Sequence, residues 1–247
     1  MKVLSIIIPV FNEENTIEAV LKRAIEQRLN GWKKEIIVVD DGSTDSTRFK
    51  IHDLGFKNSI RIIRKGENKG RGSAVRTGIK ACNGDAILFQ DADLEYDPAD
   101  WQLLLEMLES SKSKVVYGSR IKYWKRKRYI SYYIGNRVMT SITNLLFGSR
   151  LTDVYTGYKL FDSKFLKSLT LISRGFELEA EITAQTLCRH EEIKEVSIQY
   201  APRSFQEGKK IYYNDGITGL LMLVRCRFAY LMQFDRFSNN IEKTVNG

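Results

Sequence analysis

Short apolar runs alternate with helical patterns through the first 118 residues, and this alternation restricts the fold more than any other feature of the chain. The runs at residues 4–8, 36–39, 59–63, 86–89 and 115–117 read as strands, that at 86–89 as one buried on both faces. Between them, residues 15–27 carry Ile17, Val20, Leu21, Ala24 and Ile25 at helical spacing, and Asp45-Ser46-Thr47 opens a second helix with capping side chains. Residues 70–82 read as a third helix begun by glycines, and residues 98–108 as a fourth with Pro98 at its start. Successive βα units predict an α/β fold, a Rossmann-like and mostly parallel sheet flanked by helices. In such a sheet the polar loops leaving the strand carboxyl ends share one edge and converge on a ligand. Those loops are residues 9–15, 40–45, 64–71, 91–97 and 118–120.

Past residue 120 the alternation breaks down. Residues 130–147 read as a helix, 157–161 as a strand, 177–188 as a helix, 193–200 as a strand and 213–234 as a long apolar-leaning helix. With 247 residues, three prolines and no Ser/Gly tract, the expectation is one domain over residues 1–236. Residues 1–118 form its ligand-binding half, 119–236 a second half with amphipathic elements, and 237–247 a polar tail. Cys82, Cys188 and Cys226 lack metal or disulfide spacing and read as thiols of a reducing compartment. The first residues are too quickly polar for a signal peptide, and the best apolar stretch, residues 217–224, is stopped by Arg225 and Arg227. The expectation is a chain that does not cross a membrane by itself.

The loops carry the chemistry. Asp91-Ala92-Asp93 follows the fourth strand with Glu95 two residues on, offering oxygen ligands to a hard divalent cation, Mg²⁺ or Mn²⁺. An acidic turn running into the helix at Asp97-Pro98 is the plainer alternative. Asp40-Asp41-Gly42-Ser43-Thr44-Asp45 can accept hydrogen bonds from a nucleobase or ribose. Residues 66–73 are glycine-rich but match neither GxGxxG nor the Walker spacing, which argues against a dinucleotide dehydrogenase and a P-loop NTPase. The helix start there, with Lys69 and Arg71, can still hold a diphosphate.

In this order, Pro9-x-x-Asn12-Glu13, Asp40-Asp41-x-Ser43-x-Asp45, Asn68-x-Gly70-x-x-x-Ala74, Asp91-x-Asp93 and Tyr117-Gly118-Ser119-Arg120 resemble the family 2 glycosyltransferases of the GT-A fold. Asp91 to Pro98 and Gly157-Tyr158-Lys159-Leu160-Phe161 resemble the polyprenyl-phosphate branch typified by dolichyl-phosphate mannose synthase. The resemblance runs from about residue 4 to about residue 211. It implies an inverting, metal-dependent hexosyl transfer from a nucleotide-diphosphate sugar to a polyprenyl phosphate such as dolichyl or undecaprenyl phosphate. By position, Pro9, Asn12, Glu13, Asp40 and Asp41 would line the nucleoside site, with Asp41 on base or ribose. Lys69, Arg71, Asp91, Ala92, Asp93, Arg203 and the Gly208-Lys209-Lys210 loop would complete the nucleotide-sugar site. Asp91, Asp93 and Glu95 would hold the metal, although the family often carries Gln where Glu95 stands. Arg120, Arg137 and Ser141 would meet the acceptor phosphate. Asp93, Arg120 and Asp153 would be catalytic, Asp153 lying near the reacting sugar carbon. Many relatives add C-terminal membrane helices that this sequence does not show.

A phosphate acceptor is anionic at neutral pH and needs no strong base, whereas a glycan hydroxyl would need a carboxylate such as Asp153. The net charge of +9 lies in residues 110–152, with ten Lys/Arg and no acid, leaving 29 basic and 30 acidic residues elsewhere. Within it Lys122-Tyr123-Trp124-Lys125-Arg126-Lys127-Arg128-Tyr129 interleaves cations and aromatics, the composition of a membrane-interface anchor. The helices at 130–147 and 213–234 can lie in the same plane, or the second can be a core or dimer helix. No RNA or DNA motif accompanies the basic run, so nucleic acid is not expected as a partner. The reading is a transferase peripheral to the cytoplasmic face of a membrane. The rivals are a glycan-elongating transferase and a nucleotide-sugar or nucleic-acid binder without turnover. Glu177, Glu179 and Glu181 cannot share one ion, because i and i+2 diverge on a helix.

Overall fold

The computed structural model describes the backbone of residues 1–53, 59–121, 130–203 and 213–245, and their side chains except at 53, 130–131, 213–214 and 233–245. The basic run at 122–129 and Lys209 lie outside the described residues. Among those described, seven strands form one sheet in the order β3-β2-β1-β4-β6-β5-β7. They are β1 (Lys2–Val10), β2 (Trp32–Asp40), β3 (Ile60–Arg64), β4 (Ala86–Phe89), β5 (Val115–Ser119), β6 (Lys159–Asp162) and β7 (Ile193–Ser197). The helices are α1 (Ile17–Glu26), α2 (Thr47–Asp53), α3 (Arg71–Ala81), α4 (Trp101–Ser110), α5 (Ile130–Phe147), α6 (Ser163–Ser168), α7 (Leu178–Cys188) and α8 (Tyr213–Val245).

The continuous apolar runs of β1 and β4 are those of strands covered on both faces. Successive residues point to opposite sides, so Ile6, Ile8, Val38 and Leu88 pack with α1 and α4 through Val20, Leu21, Trp101 and Leu104. Ile7, Ile37, Val39, Ile87 and Phe89 pack the other way, with Val75 and Ile79 of α3 and Leu178 and Ile182 of α7. The chain winds outward from β1 through β2 to β3, then returns to place β4 on the other side of β1. The switch in winding between β1 and β4 opens a crevice outside their carboxyl ends, where open α/β sheets bind ligands.

The second half departs from simple winding. β6 inserts antiparallel between β4 and β5, pairing Leu88 with Leu160 and Val116 with Leu160. It starts at Lys159, not at 157, because Gly157 and Tyr158 still belong to the turn that approaches the site. β7 stops at Ser197, short of the expected residue 200, and the chain crosses to Glu95, whose carbonyl accepts the Ala201 N–H at 2.9 Å. That crossing carries Tyr200 and Arg203 to the crevice. α8 continues to Val245, beyond the end of its apolar run near 234, because no Pro or Gly interrupts the sequence until Gly247. One stripe of α8 is packed, with Leu223, Met222 and Cys226 against α7 and α5. Another is not: Ile217, Leu221, Phe228 and Met232 are exposed, as are Ile134, Val138 and Leu145 of α5. No helix among the described residues is long and apolar enough to cross a membrane.

Candidate active site

The loops after β1 and β2 are braced against each other before they meet any ligand. Asn12, with φ 50°, donates its N–H to Ser43 Oγ at 3.1 Å and accepts the Thr44 N–H on Oδ1 at 2.8 Å. Asp40 accepts the Ser43 N–H at 2.9 Å and pairs with Arg48 Nε at 2.7 Å. Both residues therefore shape the loops and neither lines the cavity they enclose. Asp41 does line it, while accepting the N–H groups of Lys69 (3.1 Å) and Gly70 (2.7 Å) and pairing with Lys65. Gly42 must be glycine: its φ is 80°, and a Cβ there would lie 2.6 Å from the Glu67 carbonyl carbon. The glycine-rich loop thus gives two amides to Asp41, and Lys69 turns its ammonium to Glu67 at the surface.

Asp91 and Asp93 come together on the cavity wall with Pro9, Glu13 and Ala92. Asp91 Oδ1 accepts from Arg71 Nε and Nη2 at 3.1 and 2.8 Å, and its other oxygen lies against Gly157. Any Cβ at 157 would collide with that oxygen and approach the Tyr96 ring to 2.9 Å, so the turn before β6 needs glycine to come this close. Asp93 accepts the Glu95 N–H at 3.1 Å and pairs with Arg203 Nη2 at 2.9 Å. Burial, then the neighbouring Glu95 and Asp91 carboxylates, push Asp93 up to about 8 against the pull of Arg203. Arg203 also reaches Glu13 at 3.2 Å. Glu95 commits one oxygen to the Tyr200 hydroxyl (2.7 Å) and the other to the Arg203 N–H (2.9 Å), so it anchors the 198–203 crossing while its charge stays beside Asp93. Among the described residues, no three His, Cys, Asp or Glu side chains form a metal cage. Two strand-end carboxylates, one of them lifted to about 8 by burial and then by its acidic neighbours, do suit a divalent cation that takes its remaining ligands from phosphates and water.

Across the cavity stands Arg120, buried at the end of β5. Its Nε and Nη2 meet Asp153 Oδ2 and Oδ1, both at 2.7 Å, and its backbone N–H adds a third bond at 3.0 Å. Asn136 of α5 donates to Asp153 Oδ1 at 2.9 Å. The Tyr96 hydroxyl accepts from Arg120 at 3.3 Å, and the Tyr200 ring lies 5.0 Å from the guanidinium. Burial alone would raise Asp153, but Arg120 and these hydrogen bonds bring it below the usual carboxylate range. Asp153 is 0% exposed and stands behind Arg120, not on the cavity wall. Arg137 and Ser141 are exposed and also off the wall; α5 presents Tyr132, Asn136 and Met139 instead.

The cavity measures about 650 Å³. It unites Pro9, Glu13, Asp41, Arg71, Asp91, Ala92, Asp93, Glu95, Arg120 and Arg203 of the expected residues. Sequence reasoning missed Asn68, Tyr96, Asn136, Phe176 and Tyr200 as wall residues, and could not choose among the three glutamates of residues 177–181. Glu179 is the one that lines the cavity, and a signal for it existed: Lys159, a lysine heading a buried strand, requires an acidic partner.

Known proteins resemble this chain in sequence and in fold. The model of "Glycosyl transferase family 2" matches residues 5–170. A dolichol-phosphate mannosyltransferase of Pyrococcus furiosus is 29% identical over 218 residues, covering 85% of this chain and 59% of that protein. The chain thus spans under two thirds of that relative's length. A dolichyl-phosphate beta-glucosyltransferase of Saccharomyces cerevisiae is 31% identical over 253 residues, covering 93% of this chain and 75% of that protein. Among solved structures, glucosyl-3-phosphoglycerate synthase of Mycobacterium tuberculosis, in complex with Mn²⁺, UDP and glucosyl-3-phosphoglycerate, has a TM-score of 0.71 at 22% identity. That match covers 91% of this chain and 80% of the synthase, and shows the shared GT-A fold.

Proposed function

The chain belongs to glycosyl transferase family 2, and from that premise we propose that it moves a hexose from a nucleotide-diphosphate sugar to a polyprenyl phosphate, with inversion, at a membrane surface. Asp41, with Asn68 and Gly70 beside it, holds the nucleoside end of the donor. Asp91 and Asp93 would hold Mg²⁺ or Mn²⁺, which would supply Lewis-acid chemistry for the departure of the nucleotide diphosphate. Arg203, anchored by Glu95 and Tyr200, stands next to Asp93 and follows the phosphates. Arg120 orients the acceptor phosphate, whose oxygen attacks the anomeric carbon from the face opposite the leaving group.

The observation that supports a phosphate over a hydroxyl acceptor is the Arg120–Asp153 pair. Asp153, the carboxylate a hydroxyl acceptor would need as base, is enclosed, anionic and saturated by Arg120 and Asn136. A useful general base has a pKa near the working pH and reaches its substrate. What faces the cavity is the guanidinium, with its partner Asp153 lying off the wall, and a cation presented in this way suits an anion. The names of both curated relatives, a mannosyl- and a glucosyltransferase of dolichyl phosphate, support the same acceptor class. Peripheral attachment to a membrane is supported by the exposed apolar residues of α5 and α8. Residues 1–118 then serve the donor and 119–236 the acceptor.

The test is organic-phase transfer. Purified protein with Mg²⁺, dolichyl or undecaprenyl phosphate and a panel of UDP- and GDP-sugars is extracted, and the lipid fraction is weighed by mass spectrometry. A species one hexose heavier than the lipid phosphate is expected. Consumption of donor only when soluble glycans are added would overturn the lipid acceptor.

A further inference from the structure

One charged assembly on the cavity wall has no part in the transfer steps above. Lys159 of β6 is 0% exposed, donates to the Thr156 carbonyl at 3.0 Å and pairs with Glu179. Glu179 of α7 is 4% exposed, lines the cavity and gives its other oxygen to Arg71 Nη1. Arg71 turns Nε and Nη2 to Asp91, and its guanidinium carbon lies 6.0 Å from the centre of the Phe176 ring. Ammonium, carboxylate, guanidinium and carboxylate therefore run in series from the core to the aspartate assigned to the diphosphate. What hangs from a diphosphate held at Asp91 is the sugar, and the Arg71–Glu179 step is the next polar wall beyond it.

We infer that Arg71 and Glu179 form the seat of the transferred sugar, and that this seat selects an uncharged hexose and rejects a hexuronic acid. The inference rests on the reading of the chain as a nucleotide-sugar transferase. Hydroxyl groups suit such a wall from both sides: the carboxylate accepts their protons and the guanidinium donates to their oxygens. A uronate carboxylate does not suit it. The two cations of the series are already shared, Lys159 with Glu179 and Arg71 with Glu179 and Asp91, and the buried Lys159 has no access to a ligand. The incoming anion would face Glu179, whose neighbouring cations are already shared, and burying an unpaired charge is costly. The other acidic groups close by add the same sign. Burial first, and then Glu179, Asp215 and Glu177, hold the Tyr155 phenol on this wall above its ordinary range. Selection here works by repulsion of the wrong sugar as much as by attraction of the right one.

The test uses donor pairs that differ only at C6, hydroxymethyl against carboxylate: UDP-glucose with UDP-glucuronate, UDP-galactose with UDP-galacturonate, and GDP-mannose with GDP-mannuronate. Binding is measured by calorimetry with Mg²⁺ and transfer by extraction of labelled lipid, with free UDP and GDP as references. For the wild-type chain, kcat/KM for the neutral member of the accepted pair should exceed that for its uronate by about 100-fold or more. Glu179→Gln should cut this preference by about tenfold, mainly through better use of the uronate. Because that change leaves Lys159 buried beside a neutral partner, Lys159→Met with Glu179→Gln is measured alongside, and should show the same relaxation. If neither variant folds, the wild-type pairs decide. Use of a uronate within ~3-fold of its neutral partner overturns the inference, as does a preference unchanged in the double variant. A chain that binds UDP or GDP but does not discriminate between pair members defeats this inference alone. A chain that binds neither nucleotide defeats the transferase reading and this inference with it.

Discussion

Replacing Asp153 by Asn tests whether this carboxylate positions Arg120 or acts on substrate. The substitution keeps the shape and removes one acceptor oxygen. Asp153 Oδ2 accepts the Arg120 backbone N–H and Nε, and Oδ1 accepts Arg120 Nη2 and Asn136. Whichever way the new amide turns, its NH₂ faces two donors, stranding both at a cost of ~1–3 kcal/mol each. The guanidinium also loses its counter-charge inside the protein, and breaking a buried pair from one side costs about 3–5 kcal/mol in all. For a chain of this size that lowers Tm by roughly 6–20 °C. Arg120→Met combined with Asp153→Asn removes both charges and should recover much of the loss, giving a coupling energy of about 2 kcal/mol or more. Urea unfolding of the four proteins of the cycle supplies the energies, and steady-state transfer at low temperature supplies kcat and the acceptor KM. A loosened Arg120 should raise that KM more than it lowers kcat. Wild-type stability with kcat reduced ~10²-fold or more would refute the argument and make Asp153 a base.

Other outcomes follow from the same geometry. Asp93, pushed up to about 8, holds a proton that a cation must displace, so Mn²⁺ affinity should rise about tenfold per pH unit up to that value and then level. Calorimetry in buffers of different ionisation enthalpy would detect the released proton, and a flat profile without release would refute the assignment. Since a carboxyl raised in the fold favours the fold while protonated, the metal-free chain should lose that stabilisation progressively as pH climbs from the ordinary carboxylate range to about 8 and lose no more above it, readable as a Tm that falls and then levels. Gly157→Ala should displace Asp91 and Tyr96, costing ~1–3 kcal/mol and most of the activity; a variant with normal kcat/KM would show that the close approach is unimportant. Leu221→Glu with Phe228→Glu, at positions each 64% exposed, should weaken binding to liposomes while changing stability by about 0.5 kcal/mol or less per site. Undiminished binding would mean that α8 does not meet lipid.

The first half of the site was legible because strands covered on both faces read as unbroken apolar runs, and their carboxyl ends must share an edge. Residues 4–8 and 86–89 sit within β1 and β4 as expected, and Asp41, Asp91 and Asp93 reach one cavity. The second half was harder. An antiparallel strand inserted between two others leaves no local trace, so the neighbours of β6 could not be read from its sequence. On α5, Arg137 and Ser141 carried the expectation, yet one residue of helix is about 100° of rotation, and Asn136 is the residue that turns inward. The spacing of Glu177, Glu179 and Glu181 says that they diverge but not which one faces a ligand. Asp153 looked like a reactive carboxylate because sequence does not reveal that Arg120 encloses it.

The antiparallel β6 also governs how the chain can be cut. The regular βα alternation ends near residue 118 along the sequence, but the sheet does not divide there. β4 finds its outer neighbour only in β6, more than seventy residues later, and β5 is sandwiched between β6 and β7. A fragment ending after β5 would leave the fully buried Ala86–Phe89 as a bare, apolar sheet border, a template for pairing with other copies of itself. The cavity is therefore no module that could be borrowed or grafted, since the sheet beneath it is complete only when the late strand has returned to its middle.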